Sequence, residues 1–140
     1  MFKATRSTEL ARSAQDVFDF VADAGHQRTW NALVRSMEPE SEGPLGVGTR
    51  WRGHISRVGK VEVELVEYDR PRRAMHIARP WMAEARHVWE VHEQAAGCRL
   101  VQRGVMRPKG AGWLMAPLMP LIVRVQLRDC ARSLERVLHG

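Results

Sequence analysis

The order and period of the apolar residues predict an α+β domain. A curved antiparallel sheet wraps around a long C-terminal helix, with two short helices after the first strand. Three observations carry this. From Thr49 to Arg107, five short segments alternate apolar and polar residues with period two, broken at Gly59, "DRP", "PWMA" and "QAAG". After Gly110 the period becomes helical and stays so to the end of the chain. The 140 residues suffice for one real core and not for two, so residues 1–140 read as a single domain.

Phe2 to Leu10 alternates and carries threonines, and reads as a strand. Ser13 stands three residues before Asp16, a variant of the capping box, and Val17, Phe20 and Val21 follow at helical spacing. That helix should end near Asp23-Ala24-Gly25, with "HQRTWNAL" as a second short helix after one glycine turn. Val34 to Glu40 reads as a strand and "ESEGPLGVG" as a loop. The five later strands are Thr49–Val58, Lys60–Tyr68, Arg73–Arg79, Glu84–Glu93 and Cys98–Arg107. Val61, Val63 and Leu65 oppose Glu62 and Glu64, and Ala85, His87, Trp89 and Val91 oppose Glu84, Arg86, Glu90 and His92. One buried and one wet face with hairpin-length connections means an antiparallel sheet. In the last helix Val123, Leu127, Cys130, Leu134 and Val137 form a docking stripe. One helix cannot fill the whole concavity of such a sheet, so an interior pocket is expected.

Composition removes several function classes. The formal charge is +6 and the pI about 10.3, yet the arginines are scattered from Arg6 to Arg136, with no basic block beside a stacking platform. Nucleic-acid binding is not expected. Arg124, Arg128, Arg132 and Arg136 make an i,i+4 ridge that reads as a solvated face, with an acidic partner or anionic lipid surface as the alternative. "MFKATRSTEL" has no apolar signal core, and Cys98 and Cys130 make no disulfide framework, so a cytoplasmic setting is the expectation. "WLMAPLMPLIVRV", from Trp113 to Val125, is the most apolar stretch. A membrane anchor, a core helix and a cavity wall are its three readings. Arg107 and Arg124 bracket it too closely for the ~20 apolar residues of a span, and Pro117 and Pro120 interrupt it, so no integral membrane association is expected. The prolines should kink the helix or delay its regular part, leaving Met115, Leu118, Met119 and Ile122 as a movable wall near a cavity mouth.

Four segments resemble a known family: "SAQDVFDFVADAGHQRTWNALV", "GPLGVGTRW", "EYDRPRRAMHI" and "GWLMAPLMPLIVRVQLRDCARSLERVL". Together the chain is similar to the START-like SRPBCC superfamily, in its polyketide cyclase/dehydrase-type branch. The resemblance spans essentially the whole chain and rests on structural punctuation. It implies a helix-grip (START/Bet v 1-like) fold with a hydrophobic ligand cavity between sheet and C-terminal helix. Members bind lipids, hormones or polyketides, and some are aromatase/cyclases. It implies no cofactor and no general catalytic triad.

The residues themselves offer little catalytic machinery. "GVG" at Gly46–Gly48 is followed by Trp51 and a strand, so it is a turn and not a dinucleotide fingerprint. No metal-ligand spacing occurs, since His87 and His92 should point to opposite faces of one strand, and no GxSxG is present. His54 and His76 lie on strands whose alternation leaves their face open. The candidate ligand-binding set is Trp30, Trp51, Ile55, Val63, Leu65, Trp89, Gln102, Met106, Trp113, Leu118 and Ile122, because tryptophan and methionine suit broad apolar walls. His87, inward beside apolar neighbours, is the candidate catalytic residue, with Gln102 as a second polar anchor. Two function classes lead, ahead of an interaction protein that uses the Arg124–Arg136 ridge. One is a binding protein for a small hydrophobic, lipid- or polyketide-like molecule. The other is a polyketide aromatase/cyclase or dehydratase, in which His87 assists enolisation or dehydration. A homodimer is left open.

Overall fold

The computed structural model describes residues 2–31 and 33–139, apart from the side chains of Trp30 and His139. The elements are β1 (Phe2–Leu10), α1 (Ala14–Ala22), α2 (Gln27–Trp30), β2 (Val34–Pro39), β3 (Arg50–Ile55), β4 (Gly59–Asp69), β5 (Arg73–Ala78), β6 (Ala83–Gln94), β7 (Gly97–Pro108) and α3 (Met119–His139). A 3-10 turn precedes α2, and a longer 3-10 run, Gly110–Leu118, precedes α3. The strands form one antiparallel sheet in the order β1-β7-β6-β5-β4-β3-β2. The chain therefore leaves one edge after β1, crosses the concave face as α1 and α2, and meanders back strand by strand.

Local chemistry explains the boundaries. Ser13 Oγ accepts from the Asp16 amide at 3.1 Å and starts α1. Its buried face is Val17, Phe18, Val21 and Ala22. Phe18 takes the deep position against Tyr68, while Phe20 is half-buried and stacks on His26. β3 ends at Ile55 rather than Val58, because Arg57 (φ 70°) and Gly59 (φ 99°) turn the chain into β4. On β4, Val61, Val63 and Leu65 are all buried, each stabilising the fold by roughly 1.5–3 kcal/mol.

The C-terminal helix begins late, as two prolines require. Pro117 lies inside the 3-10 run and Pro120 in the first turn of α3, where a missing N–H costs little. Val123, Leu127, Cys130, Ala131, Leu134 and Leu138 then form the buried stripe, packed on β1 and β7. The Arg124–Arg136 ridge is exposed. Because helical structure continues past Arg124, the run Gly110–Leu138 is long and apolar enough to cross a membrane by length and composition. Less than a quarter of its most apolar stretch is buried. The bracket of Arg107 and Arg124 was thus too narrow a measure of this segment, although its second half is docked in the domain.

Gly112 fixes where the 3-10 run leaves the sheet. A Cβ at this position would run into the Met82 carbonyl oxygen, and the Lys109 amide donates to that same oxygen at 3.0 Å. Gly112→Ala is expected to destabilise the protein by roughly 1–3 kcal/mol, the usual cost of overpacking against rigid atoms. Thermal unfolding checks this, and an unchanged midpoint would contradict the close approach.

Candidate functional site

The register of the sheet creates a hole. Val63, Ala78, Ala85 and Met106 follow one another across β4 to β7, and in the next row Leu65, His76, His87 and Gly104 do the same. Where β5, β6 and β7 run side by side, three of those positions are Ala78, Ala85 and Gly104. Small side chains at adjacent positions leave a cavity of about 90 Å³ between the sheet and the helices α2 and α3. Its apolar walls include Met37, Ile55, Val63, Met106, Val123 and Leu127, and polar groups come from Gln27, Asn31, His76, His87 and Gln126. Gly104 matters doubly, since a Cβ there would lie 3.2 Å from Val123 Cγ1. Its absence lets α3 approach β7 and keeps space open beside His87.

The histidines are connected through Trp89. Trp89 Nε1–H donates to His76 Nδ1 at 3.1 Å, and an indole nitrogen can only donate. The His76 proton therefore sits on Nε2, which donates to the Ala22 carbonyl at 2.8 Å. His87 stacks on Trp89, with ring centroids 3.9 Å apart and planes 12° from parallel. His87 Nε2 donates to Gln102 Oε1 at 3.0 Å, leaving Nδ1 as an acceptor in the neutral ring. Gln102 is fully buried, and its Nε2 has no partner among the described residues.

Burial sets the protonation of both rings. It pushes His76 down to about 4, against the opposing pull of the Ala22 carbonyl and Asp23. Burial, followed by the proximity of His76, pushes His87 down to about 3, with the Gln102 hydrogen bond pulling the other way. Both are uncharged at neutral pH. His76 is saturated by Trp89 and Ala22, so His87 Nδ1 is the ring nitrogen left to accept a hydrogen bond from an uncharged molecule, and His87 would be a weak proton acceptor.

The sequence-selected residues divide into groups. Ile55, Val63, Met106 and His87 line the cavity together. Trp51, Leu65 and Trp89 are buried in the core, Trp51 edge-on to His76 and Trp89 beneath His87. Gln102 holds His87 from below instead of facing the cavity. Ile122 is half-buried at the second, smaller core cluster around Met119. The Trp30 side chain lies outside the described residues. Trp113 and Leu118 are exposed, so the stretch from Met115 to Ile122 is not the cavity wall it was expected to be. The helical wall comes a turn later, at Val123, Gln126 and Leu127, because the 3-10 run carries the preceding residues off the end of the sheet. Alternation places His76 inward after all, and His54 outward. The overlooked signal was the run of small residues at inward positions of neighbouring strands, which marks a hole more directly than large residues do.

A curved sheet gripping one long helix, with a partly polar cavity between them, defines a helix-grip protein of the START/Bet v 1 kind. The match to solved structures is close in shape. A START superfamily protein from Mycobacterium smegmatis superposes with TM-score 0.81 at 11% identity, covering 99% of this chain and 98% of that one. The di-domain ARO/CYC BexL from the BE-7585A biosynthetic pathway gives 0.74 at 17% identity, over 99% of this chain and 50% of that one. A norcoclaurine synthase point mutant from Thalictrum flavum, in complex with a transition-state analogue, gives 0.71 at 14%, over 97% and 92%. No curated protein matches in sequence. The chain belongs to the family described as polyketide cyclase / dehydrase and lipid transport, whose model matches residues 1–139.

Proposed function

We propose that this chain binds a small, largely hydrophobic molecule in the cavity between the sheet and α3, with His87 as its polar anchor and without a cofactor. The observation that carries this is the state of His87. The ring is neutral, stacked on Trp89 and tied to Gln102 through one nitrogen, and it lines a mainly apolar cavity with an acceptor to spare. A hydroxyl on the ligand would complete that acceptor. At about 90 Å³ the cavity is smaller than the roughly 300–1,000 Å³ of sites that enclose whole ligands. A larger, lipid- or polyketide-sized occupant would require α2, a single turn of helix, or α3 to move outward. A reduced, cytoplasmic setting belongs to the same reading, since Cys98 and Cys130 are both free and buried.

The family description and the likeness to an aromatase/cyclase favour a second reading, in which the same pocket folds a polyketide-like chain and His87 assists enolisation or dehydration. A ring titrating near 3 is poorly matched to proton transfer at neutral pH, which weighs toward binding.

His87→Phe separates the two. In the binder it weakens ligands that bear a hydroxyl by about 1–3 kcal/mol and spares hydrocarbons. In the enzyme it lowers turnover by about 10²–10⁴-fold. The substitution also orphans Gln102, so Gln102→Met should accompany it to restore stability, because replacing both partners by apolar groups is nearly neutral. Calorimetric titration of matched alcohol and alkane ligands into the double variant gives the answer. An unchanged ligand profile in the folded variant would place His87 outside the site.

A further inference from the structure

The end of the domain around Gly112 carries an apolar surface that the cavity does not use. Trp81 and Trp113 are each 58% exposed, Leu114 is 87%, Leu118 57% and Leu121 61% exposed. They come from two segments that meet where Gly112 packs on Met82, so Trp81 and Trp113 each stand one residue from that contact. The apolar window containing Trp113 to Leu121 is only 22% buried. Large apolar side chains clustered outside the core mark an interaction surface.

Charge identifies what covers it. Leu121 also lines an open groove of about 550 Å³ between β1 and α3, whose other walls include Lys3, Arg6, Arg124 and Arg128. Several arginines are answered by acids: Arg70 by Asp19, Arg73 by Glu67 and Glu90, Arg52 by Glu40. At this end Lys3, Arg6, Arg107, Lys109 and Arg124 have no ion pair among the described residues. Glu84, the cross-strand neighbour of Arg107, is paired with Arg86. A second copy seated symmetrically on the patch would bring this uncompensated positive rim against itself. Tryptophan and leucine beside unpaired lysine and arginine match the interface of a bilayer that carries negative headgroups.

We propose that this end of the protein is a peripheral docking surface for an anionic phospholipid bilayer. Trp81, Trp113, Leu114 and Leu118 enter the headgroup–acyl boundary, and the groove formed by Lys3, Arg6, Arg124 and Arg128 faces the anionic headgroups. Trp81, Trp113, Leu114 and Leu118 line no part of the cavity, and the groove shares only Leu127 with it.

Co-sedimentation with vesicles of phosphatidylcholine alone and of phosphatidylcholine with phosphatidylglycerol tests the proposal. The protein should pellet with the mixed vesicles, with a blue shift in tryptophan emission, and bind the neutral ones at least about tenfold less tightly. Salt of about 0.5 M should release it. The double substitution Trp113→Ser with Leu114→Ser, at exposed positions, should weaken binding by about tenfold or more with an unchanged circular dichroism spectrum. Lys109→Glu with Arg124→Glu should abolish the preference for phosphatidylglycerol. Absence of binding to mixed vesicles, or binding that the Trp113 and Leu114 substitutions leave intact, overturns the proposal. So does retention through an alkaline carbonate wash, which would mean a spanning helix. A dimer in sedimentation velocity that those substitutions dissociate, with no vesicle binding, would assign the patch to a second copy.

Discussion

Stability should fall steeply on mild acidification, before most carboxylates titrate. His76 and His87 are held neutral in the folded protein at about 4 and about 3, against 6.5 for an unburied ring. The sign follows from which state takes up protons first. Below about pH 6.5 the unfolded chain binds protons on both rings while the folded chain does not, so unfolding becomes more favourable as pH falls. The contribution is complete above that value and is lost on descent toward about 4. Each ring adds a slope of up to about 1.4 kcal/mol per pH unit, and His76 alone amounts to roughly 3 kcal/mol. Against a typical total of about 5–15 kcal/mol this is a large share. Asp19, held below the usual carboxylate range by its hydrogen bonds from Arg70, titrates beneath this window. Urea unfolding from pH 7.5 down to about pH 4.5 measures the slope. A flat profile would show that neither ring is buried as described. In His76→Gln, which can still donate to Ala22, the slope should drop by about half while absolute stability also decreases.

Filling the space beside His87 should abolish ligand uptake. Gly104→Leu places a branched side chain toward Val123 and Leu127, in the gap the glycine leaves between β7 and α3. The wild type is expected to bind a fluorescent apolar probe at about one site with micromolar-order affinity. The variant should lose that binding by more than about tenfold, with a stability cost of roughly 1–3 kcal/mol for the overpacking. Ala85→Leu, on the neighbouring strand and lining the same cavity, serves as a second variant should Gly104→Leu fold poorly. Unchanged probe affinity in a folded variant would place the probe elsewhere, and the Trp113 surface would be the first alternative. Vesicle binding should survive both cavity substitutions, which keeps the two surfaces experimentally separate.

The fold was legible because it is written in local periods. Period-two alternation from Thr49 to Arg107, the Ser13–Asp16 cap and the Val123–Val137 stripe each identify an element without knowledge of its partners, and the structure has those elements in that order. The site was only partly legible. His87, Ile55, Val63 and Met106 were reachable because alternation tells inward from outward. Trp51, Leu65, Trp89 and Gln102 satisfy the same criterion and are spent on packing and on supporting the two histidines. Alternation assigns a face, and it cannot separate a residue that fills the interior from one that borders a gap.

Sequence by itself determined the class of architecture, the interruption of the last helix at its two prolines, and the inward direction of His87. Each of these follows from backbone chemistry or from a repeat within one segment. Register between strands decided the rest. Only pairing β5, β6 and β7 brings Ala78, Ala85 and Gly104 together to open the cavity, and only the packing of Gly112 on Met82 turns Trp113 and Leu114 outward beside Lys109. A cavity is a deficit of side-chain volume summed over neighbours far apart in the chain, and an exposed patch is apolar area that no other segment covers. Neither quantity is a property of any one stretch of sequence, so both had to wait for the tertiary structure.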